Sequence, residues 1–354
     1  MDYIFPVAEI EHHIISYLDQ ITDFKQLSLV NKYYHKIVLA DKIYVALKTF
    51  YLNPPINYRL SESKEENFQD ACRCNHILVA KYLQQKYSIN IHVGKQNAFT
   101  IACLYGHLEV TKWLYDLGKK INSLIDIHAN GEWAFRCTCE CGHLEVAKWL
   151  YQLAIESNSP IDIHAGDEYV FRWVCKNGHL VVAEWLHHLG KEINSPIDIH
   201  ANNEYAFRWV CGNGDFEMAK WLHHLGKQID SPIDIHANNE GAFGLACGHG
   251  HIEVAKWLHD LGTNNNSPID INAEDQSAFK FACLGQHLEV AKWLHNLAIE
   301  LNYPIDIHAG NEFVFKWVCE NGYLEVAKWF CTLDNKYNIN INSTTNKIEY
   351  QIDQ

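Results

Sequence analysis

Residues 166–201 read GDEYVFRWVCKNGHLVVAEWLHHLGKEINSPIDIHA, and residues 202–237 follow with NNEYAFRWVCGNGDFEMAKWLHHLGKQIDSPIDIHA. The same unit can be traced in both directions. Tryptophan stands at 113, 149, 185, 221, 257, 293 and 329, and phenylalanine at 99, 135, 171, 207, 243, 279 and 315, each column spaced by 36 residues. Two independent columns with one period define a repeat architecture. That reading overrides the several ordinary domains that 354 residues would otherwise suggest. An earlier, shorter unit carries Phe68, Cys72 and Tyr82 in the matching places.

Within one unit, Asp167-Glu168 reads as the start of a first helix on which Phe171, Val174 and Cys175 share a face at i, i+3 and i+4. Asn177-Gly178 ends it. A second helix opens at His179, turns Val182, Trp185, Leu186 and Leu189 inward, and is closed by Gly190 and Ser195-Pro196. Ile-Asp-Ile-His at 197–200 alternates apolar and polar residues, as a short extended connector does. A single helix pair cannot bury its apolar face, so stacking makes the core, and each large aromatic contributes roughly 1.5–3 kcal/mol. Trp185 and its equivalents are expected to form a ladder. The fold class is therefore all-α, a helical solenoid of about eight helix-turn-helix repeats. The expected units are 64–93, 94–129, 130–165, 166–201, 202–237, 238–273, 274–309 and 310–345. A helical module at 1–52 and a linker at 53–63 precede them, and a tail at 346–354 follows.

A content of 48% hydrophobic and 12% aromatic residues suits a long stacked core. The net charge of −14, from 43 acids against 29 bases, argues against nucleic acid or an anionic membrane as partner. The opening MDYIFPVAEI lacks a basic stretch followed by an apolar run, and no segment reaches the ~18 apolar residues of a membrane span. A cytoplasmic monomer is expected. Eight of the twelve cysteines recur once per unit, at 72, 103, 139, 175, 211, 247, 283 and 319. Equivalent atoms of stacked helical units lie about 8–10 Å apart, beyond the ~7 Å between Cα atoms that a disulfide spans, so these read as reduced core thiols. The sets Cys137, Cys139, Cys141, His143 and Cys72, Cys74, His76 suggest metal ligands at first sight. On a helix, though, alternate residues point apart, and no metal or cofactor is expected. Most histidines recur in the second helix start or in the connector, which marks them as scaffold, and the pairs His187-His188 and His223-His224 read as solvated. No phosphate loop, nucleophile elbow or HExxH helix is present, so no catalysis is expected.

The segments GHLEVTKWL at 106–114, GHLEVAKWL at 142–150 and GHIEVAKWL at 250–258 resemble the second helix of ankyrin repeats, and the resemblance extends over residues 64–345. Phe171 and Cys175 take the places of the leucine and second alanine in that family's Thr-Pro-Leu-His-x-Ala-Ala segment. Its Thr-Pro and His are replaced by pairs such as Tyr169-Val170 and by Arg172. In the family those side chains bond between repeats, so their loss implies repeats held together mainly by aromatic packing. The projecting finger is also shorter here than in the family, which moves the expected binding surface to the concave helix face and the enlarged loop. The Trp-, Asn- and Ile-rich style is similar to the ankyrin families of mimivirus-type giant viruses.

Ahead of the repeats, Phe5-Pro6 leads into Ile10, Ile14 and Leu18, one stripe of an amphipathic helix. Asp23-Phe24, Leu27, Val30 and Asn31-Lys32-Tyr33-Tyr34 follow, and Asn53-Pro54-Pro55 closes a three-helix block. This order is similar to an F-box, although Phe5 stands where leucine is usual. The resemblance implies that Phe5, Pro6, Ile10, Ile14 and Leu18 contact a Skp-type linker protein of a ubiquitin ligase. The other reading makes the block a cap for the first repeat, whose apolar face needs cover.

Positions i, i+3 and i+7 of the first helix are expected to line the concave side and bind a partner. They hold Tyr169, Arg172 and Lys176, with Trp133 and Arg136, Tyr205 and Arg208, and Phe313 and Lys316 in the same columns. Tyr, Trp and Arg are enriched at binding hot spots. Gly241 and Gly244 interrupt the stripe and make room for a bulky element. Alternatively, the aromatics stack between repeats and the arginines pair with acids such as Glu140 or Glu168. The function that follows is a protein-interaction scaffold. It acts either as an F-box-type adaptor for a protein client or as a binding protein that masks a host protein.

Overall fold

The computed structural model describes residues 63–92, 97–341 and 348–352. The F-box-like contacts Phe5, Pro6, Ile10, Ile14 and Leu18 lie outside the described residues. Sixteen helices occur among the described residues, in eight pairs. They are α1 (Lys64–Arg73) with α2 (Ile77–Tyr87), α3 (Ala98–Leu104) with α4 (Leu108–Lys120), and α5 (Ala129–Glu140) with α6 (Leu144–Glu156). Next come α7 (Ala165–Lys176) with α8 (Leu180–Glu192), α9 (Ala201–Gly212) with α10 (Phe216–Gln228), and α11 (Ala237–Gly248) with α12 (Ile252–Asn264). The last pairs are α13 (Ala273–Leu284) with α14 (Leu288–Glu300) and α15 (Ala309–Glu320) with α16 (Leu324–Leu333). Strands β1 (Tyr337–Ile341) and β2 (Ile348–Ile352) follow as an antiparallel hairpin. The chain divides into two compact units, Met1–Ile161 and Asp162–Gln354.

In both units the Phe and Cys columns and the connector isoleucines, Ile307 excepted, are buried, so the period of 36 residues is the period of the core. The tryptophans do not form the expected ladder by themselves. Within each unit they pack on the phenylalanine of the preceding repeat: Phe68–Trp113 at 6.2 Å and Phe99–Trp149 at 6.4 Å in the first unit, Phe171–Trp221 at 6.4 Å and Phe207–Trp257 at 6.2 Å in the second. A Phe from one repeat thus meets a Trp from the next, which couples neighbours directly.

Asp167 and Glu168 do not begin a right-handed helix. Gly166, Asp167 and Glu168 have φ of 68°, 59° and 57°, a left-handed turn, and the right-handed helix starts only after it. Asn202, Asn203 and Glu204 repeat the turn at φ of 58°, 53° and 55°. L-residues resist this conformation, and Gly, Asn and Asp resist it least, which accounts for the first two positions. The glutamate at the third position is held by what its carboxylate does. Glu204, 5% exposed, accepts from His200 Nδ1 at 2.7 Å and, through the same oxygen, from the backbone N–H of Asp234, in the connector that leads into the next helix pair, at 3.1 Å. Glu168 does the same with His164 at 2.7 Å and Asp198 at 3.1 Å. With Nδ1 turned to the glutamate, His200 Nε2 accepts from the Ser231 hydroxyl at 2.8 Å, in the repeat after its own. The expectation of mainly aromatic coupling is therefore corrected. A buried polar clamp crosses each such junction, built from the connector histidine and a glutamate forced into place by the left-handed turn.

Gly190 does not close the second helix. Helix α8 runs past it to Glu192, and Asn194, at φ 54°, takes the left-handed position beyond. Gly190 instead receives the returning chain: Ser195 N–H donates to its carbonyl at 2.8 Å, and a Cβ there would lie 2.7 Å from the Ser195 oxygen. After the last repeat the hairpin takes over the neighbour's role. The Tyr337 ring stacks on Phe315 at 4.2 Å, and its hydroxyl joins His308 and Glu312, where a following repeat would otherwise bond.

The histidine pairs are not simply solvated. His223 meets Trp257 edge-on at 5.7 Å, and His187 is only 4% exposed with neither ring nitrogen hydrogen-bonded. Burial, with Lys191 and His188 beside it, holds His187 down to about 4. The unfolded chain takes this proton near pH 6.5 and the folded chain only near 4, so acid favours unfolding. Stability is expected to hold above pH 6.5 and to decline between about 6.5 and 4, and urea melts of His187→Phe should show a shallower decline over that window. Glu204→Ala should cost about 1–3 kcal/mol in the same melts and speed hydrogen exchange at the Asp234 amide, with Glu204→Gln milder because it keeps an acceptor.

Candidate functional site

In the Asp162–Gln354 unit the first helices of successive repeats, α7, α9, α11, α13 and α15, lie side by side. Their core face carries the Phe, Val and Cys columns. The opposite face holds the stripe residues, and the structure brings these together as stacks. Tyr169 packs on Trp173 at 5.7 Å, Tyr205 on Trp209 at 6.0 Å and Phe313 on Trp317 at 6.1 Å. The Lys176 ammonium lies 4.4 Å from the Trp173 ring and 4.0 Å from the Trp209 ring, bridging two repeats. Sequence reasoning missed Trp173, Trp209 and Trp317. They sit at i+4 from the stripe aromatics and share the 36-residue period, a signal that was available.

Arg172 and Arg208 do not pair with acids. Arg172, only 8% exposed, reaches back to the left-handed turn, with Nε donating to Asp167 O at 2.6 Å and Nη2 to Gly166 O at 3.0 Å. Its guanidinium also lies 4.9 Å from the Tyr205 ring. Arg208 repeats the fork on Asn203 O at 2.7 Å and Asn202 O at 3.2 Å, and Lys316 donates to Asn311 O at 2.8 Å. The turn points successive carbonyls the same way, and the planar guanidinium matches such a pair. In the other unit, Arg136 donates to Gly131 O at 3.3 Å and lies 5.9 Å from the Trp133 ring. The arginines thus fasten the turns while the aromatic rings form the open surface, with Phe313 47%, Trp317 41% and Phe281 55% exposed.

The stripe breaks at α11, where Gly241, Gly244, Leu245 and Gly248 stand in the columns of Tyr205, Arg208, Trp209 and Gly212. A groove of about 480 Å³ opens there, between α11 and α13.

The buried thiols are poor nucleophiles. Burial holds Cys139 and Cys175 well above the ordinary thiol range and Cys137 up to about 12, so these sulfurs stay protonated at neutral pH. Among the described residues no three His, Cys, Asp or Glu side chains converge as metal ligands. None of the described helices is long and apolar enough to cross a membrane.

A family model described as ankyrin repeats (3 copies) matches residues 68–161 and 207–305, and one described as ankyrin repeats (many copies) matches residues 171–223. No curated protein matches the chain. Among solved structures, one chain of a complex between a predatory endopeptidase of Bdellovibrio bacteriovorus and an immunity protein is 23% identical over 56% of this chain and 99% of that chain, with a TM-score of 0.37. The paired helices, the Gly-His openings of their second members and a family model that covers more than half of the 354 residues lead to one conclusion: the chain belongs to the ankyrin-repeat family.

Proposed function

We propose that this ankyrin-repeat protein is a client adaptor: residues 1–52 grip a Skp-type linker of a ubiquitin ligase, and the exposed first-helix face holds a protein client. The observation that supports client binding is the open aromatic surface, in which Phe281, Phe313 and Trp317 expose 41–55% of their area on one helix row. Large apolar rings left in water on an otherwise acidic chain suit a protein partner, because covering them supplies the driving force for association. Adaptor function is carried by the order Phe5-Pro6, Ile10, Ile14, Leu18 in the sequence. The protein provides proximity in this reading and performs no chemistry. It works in the cytoplasm, of a host cell if the resemblance to giant-virus ankyrin families reflects its origin.

A second reading is favoured by the C-terminal hairpin. The chain covers its last repeat with Tyr337, so residues 1–52 could serve the same purpose at the other end, leaving a plain binding protein that masks its target. Affinity capture from eukaryotic lysate separates the two. The adaptor reading expects Skp-type linker and cullin with the wild type and their loss from a folded Pro6→Ala, Ile10→Ala, Ile14→Ala variant; capture of clients without ligase subunits would leave only the masking reading. Phe313→Ala with Trp317→Ala should weaken client capture about tenfold or more while leaving the linker bound. Undiminished client capture by that variant would remove the aromatic face from the binding surface.

A further inference from the structure

At α7 and α9 the left-handed turn is fastened by an arginine of its own repeat, and at α11 that arginine is Gly244. The carbonyls of Asn238 and Asn239 occupy the places of those that Arg172 and Arg208 grip, at φ of 60° and 51° against 58° and 53° for Asn202 and Asn203. The room for a guanidinium is present. The ≈480 Å³ groove lies over this turn, and a Cβ on Gly244 would find only the Ser277 hydroxyl within 4 Å, at 3.9 Å. One wall is apolar, formed by Leu245 and the 55% exposed Phe281.

The groove is also lined by acidic side chains. Glu240, the counterpart of Glu204, lines the groove and is 9% exposed, with Oε1 engaged by His236 and the Asp270 N–H; its Oε2, like those of Glu168 and Glu204, has no hydrogen-bond partner. A second acid, Glu274, stands at the rim, held by the Asn239 amide, where the neighbouring repeats have Asn202, Asn238 and Gly310. The nearby cation Lys280 is engaged by Asp275.

We propose that this groove is a receptor slot for an arginine side chain of a partner protein. The guanidinium takes the position that Arg172 and Arg208 hold in their own repeats, donating to the carbonyl oxygens of Asn238 and Asn239, with Glu240 and Glu274 as counter-charges. The aliphatic stem lies along Leu245 and Phe281. Lysine fits less well, because a single ammonium does not reproduce a planar fork over two successive carbonyls. This proposal rests on the reading of the chain as a protein-binding scaffold and specifies what one part of its face accepts.

The test pans a phage-displayed library of random peptides of about twelve residues against the full chain, then measures the enriched peptides by fluorescence polarisation. They should share an arginine, and its replacement by lysine or citrulline should weaken binding about tenfold or more. Gly244→Arg supplies the missing guanidinium from within, at a helical position with space for it, and should abolish binding while retaining the wild-type circular dichroism and melting temperature. Glu274→Gln, at an exposed position, should weaken binding about threefold or more, and carries the test if the first variant misfolds. Enriched peptides that lack arginine, or that bind wild type and both variants alike, would overturn the slot and leave the scaffold reading intact. Failure to enrich any peptide also overturns the slot, while the scaffold reading is judged separately by the affinity capture.

Discussion

The bond from a buried glutamate to the connector that leads into the next helix pair is the constraint on which three successive repeats of the second unit depend. Glu168, Glu204 and Glu240 each use one oxygen for their own connector histidine and for the following Asp N–H. A carboxylate at this depth is costly unless it is hydrogen-bonded, so these three junctions are held to a fixed register. In that register the Phe of one repeat meets the Trp of the next and the first helices align side by side.

The left-handed turn is the means by which the glutamate arrives there. Three successive residues at positive φ would be unfavourable in isolation, and Asn, Asp and Gly lessen the cost at two of them. The arginine fork on the outer side satisfies the carbonyls that the turn projects. Strain, clamp and fork form one device, and the surface aromatics rest on it: Arg172 lies against Tyr205, and Lys176 sits between Trp173 and Trp209. What remains for a partner is therefore narrower than a stripe of free cations. In the proposed reading it is the open ring surface around Phe313 and Trp317, together with the interruption at α11, where glycine removes the side chains that fill the other repeats.

The junction after α16 follows the same logic in different chemistry. Tyr337 brings its hydroxyl to Glu312 and its ring to Phe315, so a polar and an apolar contact both recur there. The β-hairpin that carries it was not legible in advance, since Tyr337 to Ile341 reads as one more connector and becomes a strand only through pairing with Ile348 to Ile352.

The sequence by itself determined the repeat, its period, the helix pairs and the buried columns, because burial in a stacked array imposes the same residue type at the same place in every unit. It also determined the ankyrin kinship through the Gly-His openings of the second helices, and it marked the glycines that interrupt the stripe. Tertiary structure alone decided what the polar residues do. Asp167-Glu168 has the composition of a helix start, and only the packed connector that follows, offering the Asp198 N–H, makes a left-handed turn and an inward glutamate the better solution. Arg172 has acids nearby in sequence, yet the carbonyl pair created by that turn captures it. Apolar burial is additive and local enough to leave a periodic trace, whereas a hydrogen-bond partner is chosen by geometry that exists only after the repeats have stacked.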